Sequence, residues 1–404
     1  MEQKHFYDFD FHDLLLDGID AMGYEYATPV QAQVIPAILE GRDIIAAAQT
    51  GTGKTAAFLL PLIEKLLSTP HEQNTINAMV IVPTRELAVQ ISQVLEGLAY
   101  YTDISSIAIY GGSGGEVFAT EKKALSTGAD IVICTPGRMI AHLNMGYVKL
   151  AGLKYLVLDE ADRMLDMGFY EDIIKIIQEM PKDRQNLMFS ATMPPAIRKL
   201  ANTILRNPAE ISIAISKPPE QIVQHVFYVF DAQKIPLVKH VLQNGKFESV
   251  IVFCSSKSSV KKLTETLKRA KFSVDEIHSD LEQDKREQVL IDFKSKKLKI
   301  LVATDILSRG IHIEDVDLVI NYDIPHDGED YVHRIGRTAR AASKGTALTF
   351  VGDKEQYKFR KIEQLLGKPV ERGIVPPELG PVPDPGQDPG RPPKKKHNKF
   401  KRRK

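Results

Sequence analysis

Short, predominantly apolar runs that read as strands recur along this chain, with amphipathic stretches of helical period between them. From about residue 42 to 213 the runs cover residues 43–47, 78–82, 104–110, 131–134, 153–158 and 186–189. A strand apolar throughout, rather than at alternate positions, is buried on both faces. Alternation of such strands with helices predicts a parallel sheet covered on both sides. A second series follows at 226–230, 250–253, 274–277, 300–303, 318–320 and 347–351. It predicts a second α/β domain of similar size.

Between the two series, Ser216-Lys217-Pro218-Pro219-Glu220 breaks the pattern, and its prolines and flanking charges predict an exposed linker. The expected division is a first domain at 1–213, a linker at 214–221 and a second domain at 222–371. Beyond that the chain turns to Pro, Gly and Asp, as in Pro381-Val382-Pro383-Asp384-Pro385-Gly386. Such a composition cannot bury enough apolar surface to fold, so 372–404 is expected to be a disordered tail. The 404 residues with 43% hydrophobic content suffice for two full cores.

Charge sharpens this picture. The formal net charge is only +1, yet residues 394–404, KKKHNKFKRRK, hold eight Lys or Arg and no acid, which leaves the rest at −7. A cationic run is a solubilising end by default; beside a nucleic-acid enzyme it becomes a phosphate tether. Cys134 and Cys254 both end apolar runs without metal-ligand spacing, which predicts buried free thiols in a reducing compartment and no zinc site. The chain opens without a basic and apolar leader, and no apolar run approaches bilayer length. A cytoplasmic protein without a membrane partner is expected.

Two segments carry the chemistry. Ala48-Gln49-Thr50-Gly51-Thr52-Gly53-Lys54-Thr55 follows the strand at 43–47 and opens an apolar helix. Its glycines let the backbone curl so that successive amides face a phosphate, at the positive end of the new helix. Lys54 would reach the β and γ phosphates and Thr55 would offer a hydroxyl to Mg²⁺. Ala48 stands where the strict pattern has its first glycine. Asp159-Glu160-Ala161-Asp162 closes the apolar run 155–158, an acidic pair on the rim where nucleotide sites form in parallel sheets. Together the segments predict an ATP and magnesium site. The second series has no such loop, so the nucleotide should be held mainly by the first domain and completed by the second.

Further motifs stand in order around these two. Gly23-Tyr24-Glu25-Tyr26-Ala27-Thr28-Pro29-Val30-Gln31 precedes the loop, with Phe6 upstream. Pro83-Thr84-Arg85-Glu86-Leu87-Ala88, Gly111-Gly112, Thr135-Pro136-Gly137-Arg138 and Ser190-Ala191-Thr192 complete the first half. Gln283 and Arg286, the run Ala303-Thr304-Asp305-Ile306-Leu307-Ser308-Arg309-Gly310, and Tyr331-Val332-His333-Arg334-Ile335-Gly336-Arg337-Thr338-Ala339-Arg340 follow in the second. Over about residues 6–370 this series resembles the DEAD-box ATP-dependent RNA helicases. The short core with a basic tail is similar to the bacterial RhlE-like group.

The resemblance implies two tandem RecA-like domains, with ATP between them and RNA across both. It implies that Gln31 bonds adenine, that Tyr24 stacks on the base, and that Gln49, Thr50, Gly51, Thr52, Gly53, Lys54 and Thr55 hold the phosphates. Asp159 would position Mg²⁺ through its water shell, and Glu160 would orient or deprotonate the attacking water. Ser190 and Thr192 would couple the nucleotide site to RNA. Arg337 and Arg340, three apart, would act as arginine fingers, and His333 would meet the acidic box or the Ser-Ala-Thr segment, its alternative being a satisfied core histidine. Gly310 would line the nucleotide; His312 stands where related sequences place aspartate, and it would either contact the ribose or turn away and leave a water there. RNA contacts carry over to Arg85, Gly112, Thr135, Gly137, Arg138 and Thr304, groups suited to phosphates and 2′-hydroxyls rather than bases.

The expected activity is local separation of short duplexes, or remodelling of RNA–protein complexes, with RNA-stimulated ATP hydrolysis. Expected partners are single-stranded and short duplex RNA, with ribosome precursors or the RNA-decay machinery, for a chain that acts as a monomer. The rival readings are an ATP-gated RNA clamp, separated by RNA-stimulated turnover, and a DNA helicase, separated by competition between matched RNA and DNA strands.

Overall fold

The computed structural model describes residues 3–48, 51–72, 74–111, 115–212, 222–304, 313, 316–325, 328–338 and 345–384. Two compact bodies divide at residue 216, and each is treated by itself. The expected linker, 214–221, lies outside the described residues.

The first body holds strands β1 (Ile44–Ala47), β2 (Ala78–Ile81), β3 (Ser106–Ile109), β4 (Ile131–Cys134), β5 (Tyr155–Leu158), β6 (Gln185–Ser190) and β7 (Ala209–Ser212). All pair in parallel, in the order β3-β4-β2-β5-β6-β1-β7. Neighbouring residues on one strand feed opposite cores. Ala78, Val80, Ile131, Ile133 and Val157 join one apolar layer, and Met79, Ile81, Val132, Cys134, Leu156 and Leu158 join the other. Helices cover both layers, which is why β1, β2 and β4 are apolar at every position.

The second body holds β8 (Ile222–Tyr228), β9 (Val250–Cys254), β10 (Val274–Ile277), β11 (Ile300–Thr304), β12 (Leu318–Asn321), β13 (Gly345–Val351) and β14 (Glu371–Arg372). They too pair in parallel, in the order β10-β11-β9-β12-β13-β8-β14. Counted from the start of each body, both orders read 3-4-2-5-6-1-7. The chain therefore carries one topology twice, the two tandem RecA-like domains that the motif series implies. Cys134 and Cys254 are both buried and free.

One expectation fails. Composition predicts disorder from residue 372, but 371–384 packs onto the second body. β14 pairs with β8 through Glu371↔His225, and Gly373 N donates to Val226 O at 2.9 Å. A Cβ on Gly373 would lie 2.2 Å from Phe227, so only glycine lets the chain pass there. Val375 and Leu379 pack against the core that holds Val229 and Leu237. Gln233 Nε2 donates to the carbonyls of Leu379 and Pro381 at 2.7 and 2.9 Å, and Gln356 Nε2 donates to Asp384 O at 3.1 Å. Composition misleads because the body supplies both the apolar surface and the hydrogen-bond donors that this strap lacks. Residues 385–404 lie outside the described part. Among the described residues, no helix is long and apolar enough to cross a membrane.

Candidate active site

In a parallel sheet every strand delivers its C-terminal end to one rim. On the first sheet that rim gathers Ala47 at the end of β1, Leu158 at the end of β5 and Ser190 at the end of β6. Ala47 and Ser190 are register partners, and Ala48 N donates to Ser190 O at 3.1 Å. The helix Lys54–Ser68 is entered through Gly51 and Gly53, both in the left-handed region at φ 80° and 90°. A Cβ on Gly53 would stand 2.5 Å from Gln31 Nε2, so a side chain is doubly excluded there.

Lys54 is buried and donates to the Ala48 carbonyl at 2.7 Å. The lysine thus rests on a neutral acceptor that a phosphate oxygen would readily displace. Thr55 is half-buried beside it. Gln31 is buried and engaged at both ends of its amide: Oε1 accepts from Thr28 N at 2.8 Å, and Nε2 donates to Gly53 O at 3.1 Å. Thr28 Oγ1 also donates to Thr52 O at 2.8 Å. This is a helix capping box turned against the loop, and an adenine bond from Gln31 would replace one of these contacts. Tyr24 stacks with the buried Phe6, ring centroids 6.2 Å apart.

Asp159 is only 3% exposed, and burial pushes its carboxyl from an ordinary 3.8 up to about 6, with Lys54 opposing the rise and Glu160 adding to it. Glu160 N donates to Asp159 Oδ1 at 2.9 Å. Glu160 itself adopts the left-handed region, φ 50° and ψ 49°, as the cap of the helix Ala161–Asp166. A non-glycine residue held there stores strain. Its carboxylate meets Arg163 Nη1 at 3.3 Å. Asp162 takes a different role: it accepts from Arg163 N and Thr192 N, both at 3.0 Å, while its own N–H donates to Ser190 Oγ at 3.3 Å. Ser190 Oγ donates onward to Thr192 O at 2.8 Å. The acidic box and the Ser-Ala-Thr segment are therefore one hydrogen-bonded unit.

Of the first-domain residues assigned to RNA, Arg85, Thr135, Gly137 and Arg138 follow strand ends on the same rim. Arg85 opens the helix Arg85–Leu98 behind Thr84, whose hydroxyl accepts from Leu87 N. Thr135 follows β4 and caps the helix Pro136–Leu143; Gly137 is exposed and faces open space. Arg138 has a partner that sequence reasoning missed: its Nε donates to the buried Glu121 at 2.8 Å, and His142 Nε2 meets the same oxygen at 3.0 Å.

In the second body, Thr304 ends β11 nearly buried, its hydroxyl without a hydrogen-bond partner among the described residues. His333 is buried on the helix Gly328–Ile335, and Arg337 is buried just beyond it. Arg334 between them is fully buried and donates to Asn321 Oδ1 and Asp323 O at 3.1 and 2.8 Å. Gln49, Thr50, Gly112, Gly310, His312 and Arg340 lie outside the described residues.

The second rim also places a lysine where the first has Lys54. Lys234, on the helix Asp231–Asn244 that follows β8, sits 3.0 Å from Asp323, 3.2 Å from Asp231 and 3.6 Å from Glu355. Asp323 follows β12 as Asp159 follows β5. Sequence reasoning named Thr28 and Asp162 within motifs without their contacts, and it missed Glu121, Arg163 and Lys234 altogether. Only Thr28, by its Thr-x-x-Gln spacing, carried a sequence signal for its contact.

The family description "DEAD/DEAH box helicase" matches residues 28–200, and "Helicase conserved C-terminal domain" matches 233–342. The ATP-dependent RNA helicase CshA of Listeria monocytogenes is 41% identical over 91% of this chain and 69% of its own length. The ATP-dependent RNA helicase DeaD of Mycobacterium tuberculosis is 41% identical over 92% of this chain and 65% of its own. The structure of S. cerevisiae Dbp5 bound to RNA and ADP BeF3 is similar at a TM-score of 0.81 and 32% identity, covering 92% of this chain and 96% of that one. The RhlE-like group gains no support from these relatives. Their identity and coverage, with both family matches in order, place this chain in the DEAD-box family of ATP-dependent RNA helicases.

Proposed function

We infer that this chain is an RNA-dependent ATPase and RNA helicase that binds one nucleotide on the first sheet's rim and separates short duplexes without reading their sequence. The observation that carries this reading is the meeting of Lys54, Asp159 and Glu160 on that rim. Their donors fit ATP and magnesium. Asp159 is a buried carboxyl raised to about 6 with no ion pair among the described residues, so a divalent cation would restore its charge. With Thr55 it offers oxygen ligands, the set that magnesium takes alongside phosphates. Magnesium held there supplies neutralisation of phosphate charge.

The remaining work falls to the chain's own groups. Lys54 exchanges the Ala48 carbonyl for phosphate oxygens, and the amides of the curled loop receive the rest. Glu160, fixed by its backbone and by Arg163, orients the attacking water. We propose Arg337 and Arg340 as the second domain's charge-stabilising groups, and His333 as a partner of the acidic box. Arg85, Thr135, Gly137, Arg138 and Thr304 offer guanidinium, hydroxyl and amide groups to an RNA backbone, which is what sequence-independent binding requires. Ribosome precursors and decaying messengers both present such strands, to a chain acting as a monomer.

ATPase assays with and without RNA test this reading. Turnover should require RNA, prefer ATP to GTP, and disappear in Lys54→Ala and Glu160→Gln, while a matched DNA strand should fail to substitute. RNA-independent turnover, or a fully active Glu160→Gln protein, would refute it.

A further inference from the structure

Three acids crowd one short stretch: Asp159, Glu160 and Asp162 are 3%, 6% and 5% exposed. Each is satisfied differently. Asp162 is held by backbone amides, as described, and Asp159 by the amide of Glu160. Glu160 alone among them forms an ion pair among the described residues, with Arg163 Nη1 at 3.3 Å, and both side chains are more than nine-tenths buried. The backbone of Glu160 is meanwhile in the left-handed region. A strained backbone and a buried charge pair on one residue converge on a single consequence, a carboxylate with very little freedom to turn.

We propose that Arg163 is a positioning residue for hydrolysis: it binds Glu160 Oε2 and so aims Oε1 at the water that attacks the terminal phosphate. This rests on the assignment of Glu160 as the water-orienting group. Arg163 thus acts through Glu160 and not on the substrate itself. Its guanidinium occupies one oxygen of the carboxylate with a charge-assisted bond, and it keeps Glu160 from swinging toward Lys54, the other buried cation on this rim. Preorganisation of this kind affects the reaction step and leaves nucleotide and RNA binding alone.

The test uses the full chain with Arg163→Met, Arg163→Lys, Glu160→Gln and the double variant Arg163→Met/Glu160→Gln. In Arg163→Met, kcat of RNA-stimulated turnover should fall roughly 10-fold to 100-fold, with the KM for ATP and the half-saturating RNA within about twofold of the parent. Arg163→Lys should recover much of that loss. Fluorescence anisotropy of labelled RNA with ADP–beryllium fluoride should give the same affinity in Arg163→Met as in the parent, since trapping that complex needs an assembled site but no water attack. In single-turnover assays the double variant should match Glu160→Gln, because there is no carboxylate left to aim. That comparison also removes both buried charges together, so it stands even where Arg163→Met alone folds poorly. Arg163→Met with parental kcat, an equal further loss in the Glu160→Gln background, or a loss of trapped RNA would overturn the proposal while leaving the role of Glu160 intact. Parental turnover in Glu160→Gln would overturn both.

Discussion

Gln31 donates its side-chain amide to the Gly53 carbonyl at 3.1 Å, so the helix Pro29–Leu39 grips the phosphate loop from behind. The residue assigned to the base thereby also braces the loop assigned to the phosphates. Gln31→Glu keeps the acceptor for Thr28 N and turns the donor into a second acceptor facing Gly53 O. We expect ATP affinity to fall roughly 10-fold, the cost of one mismatched buried hydrogen bond. Calorimetric titration should show a comparable loss for ADP; a loss confined to base discrimination would mean that the loop contact carries no weight.

Asp159 gives a prediction with a definite sign. Its folded-state value of about 6 lies above the ordinary 3.8, so the folded protein binds the proton more tightly than the unfolded chain. Stability therefore falls as pH rises through the window from about 4 to 6 and stays lower above it, by on the order of 3 kcal/mol. Asp159→Asn should melt higher than the parent at pH 7 without nucleotide, and the gap should close near pH 4. Thermal melts across that range check it, and Mg²⁺ with ATP should raise the parent far more than the variant.

Lys234 should be costly to remove. Burial opposes its charge, but Asp323, Glu355 and Asp231 outweigh burial and hold its ammonium above the ordinary lysine range. Its stabilisation is present below pH 10.5 and lost only on strongly alkaline titration. Lys234→Met leaves the carboxylates facing one another, and we expect a destabilisation of about 3–5 kcal/mol. Denaturant unfolding followed in the second body should report it. Adding Asp323→Asn should restore part of the loss.

The strap at 373–384 and the residues beyond it should separate in truncations. Stopping after Asp384 should leave thermal stability unchanged. Stopping after Arg372 should lower it, because that cut strips cover from Phe227 and takes away the carbonyls to which Gln233 and Gln356 donate. The cut after Asp384 also removes the eight cations of 394–404 and should flatten the salt dependence of RNA binding. For every phosphate that the tail neutralises in the parent, the slope should fall by about 0.7 log units per log unit of salt. An unchanged slope would make the tail a solubilising end.

What was legible in the sequence was local. β1, β2 and β4 could be read because every residue in them is apolar, a consequence of two covered faces. β7 and β14 could not: Ala209-Glu210-Ile211-Ser212 alternates over only four residues, and Glu371-Arg372 is two exposed charges, edge strands too short for any pattern to stand out. Lys54 and Asp159 stood out because each lies within a short motif. The partners of these residues did not: Arg138 finds Glu121 on another helix, and Lys234 finds Asp323 across 89 positions, pairings that exist only once the sheets have brought distant strand ends to one rim. The strap was missed for the same reason, its stability being lent by residues outside it.

The repeated strand order has a consequence for re-engineering this chain. On the first rim a lysine leans on a carbonyl it can relinquish; on the second, the corresponding lysine is already saturated by anions that the protein supplies from its own side chains. The second copy is in effect permanently loaded. Grafting the glycine loop after β8 would therefore not by itself create a second nucleotide pocket, because an incoming phosphate would have to displace carboxylates that are covalently tethered and never diffuse away.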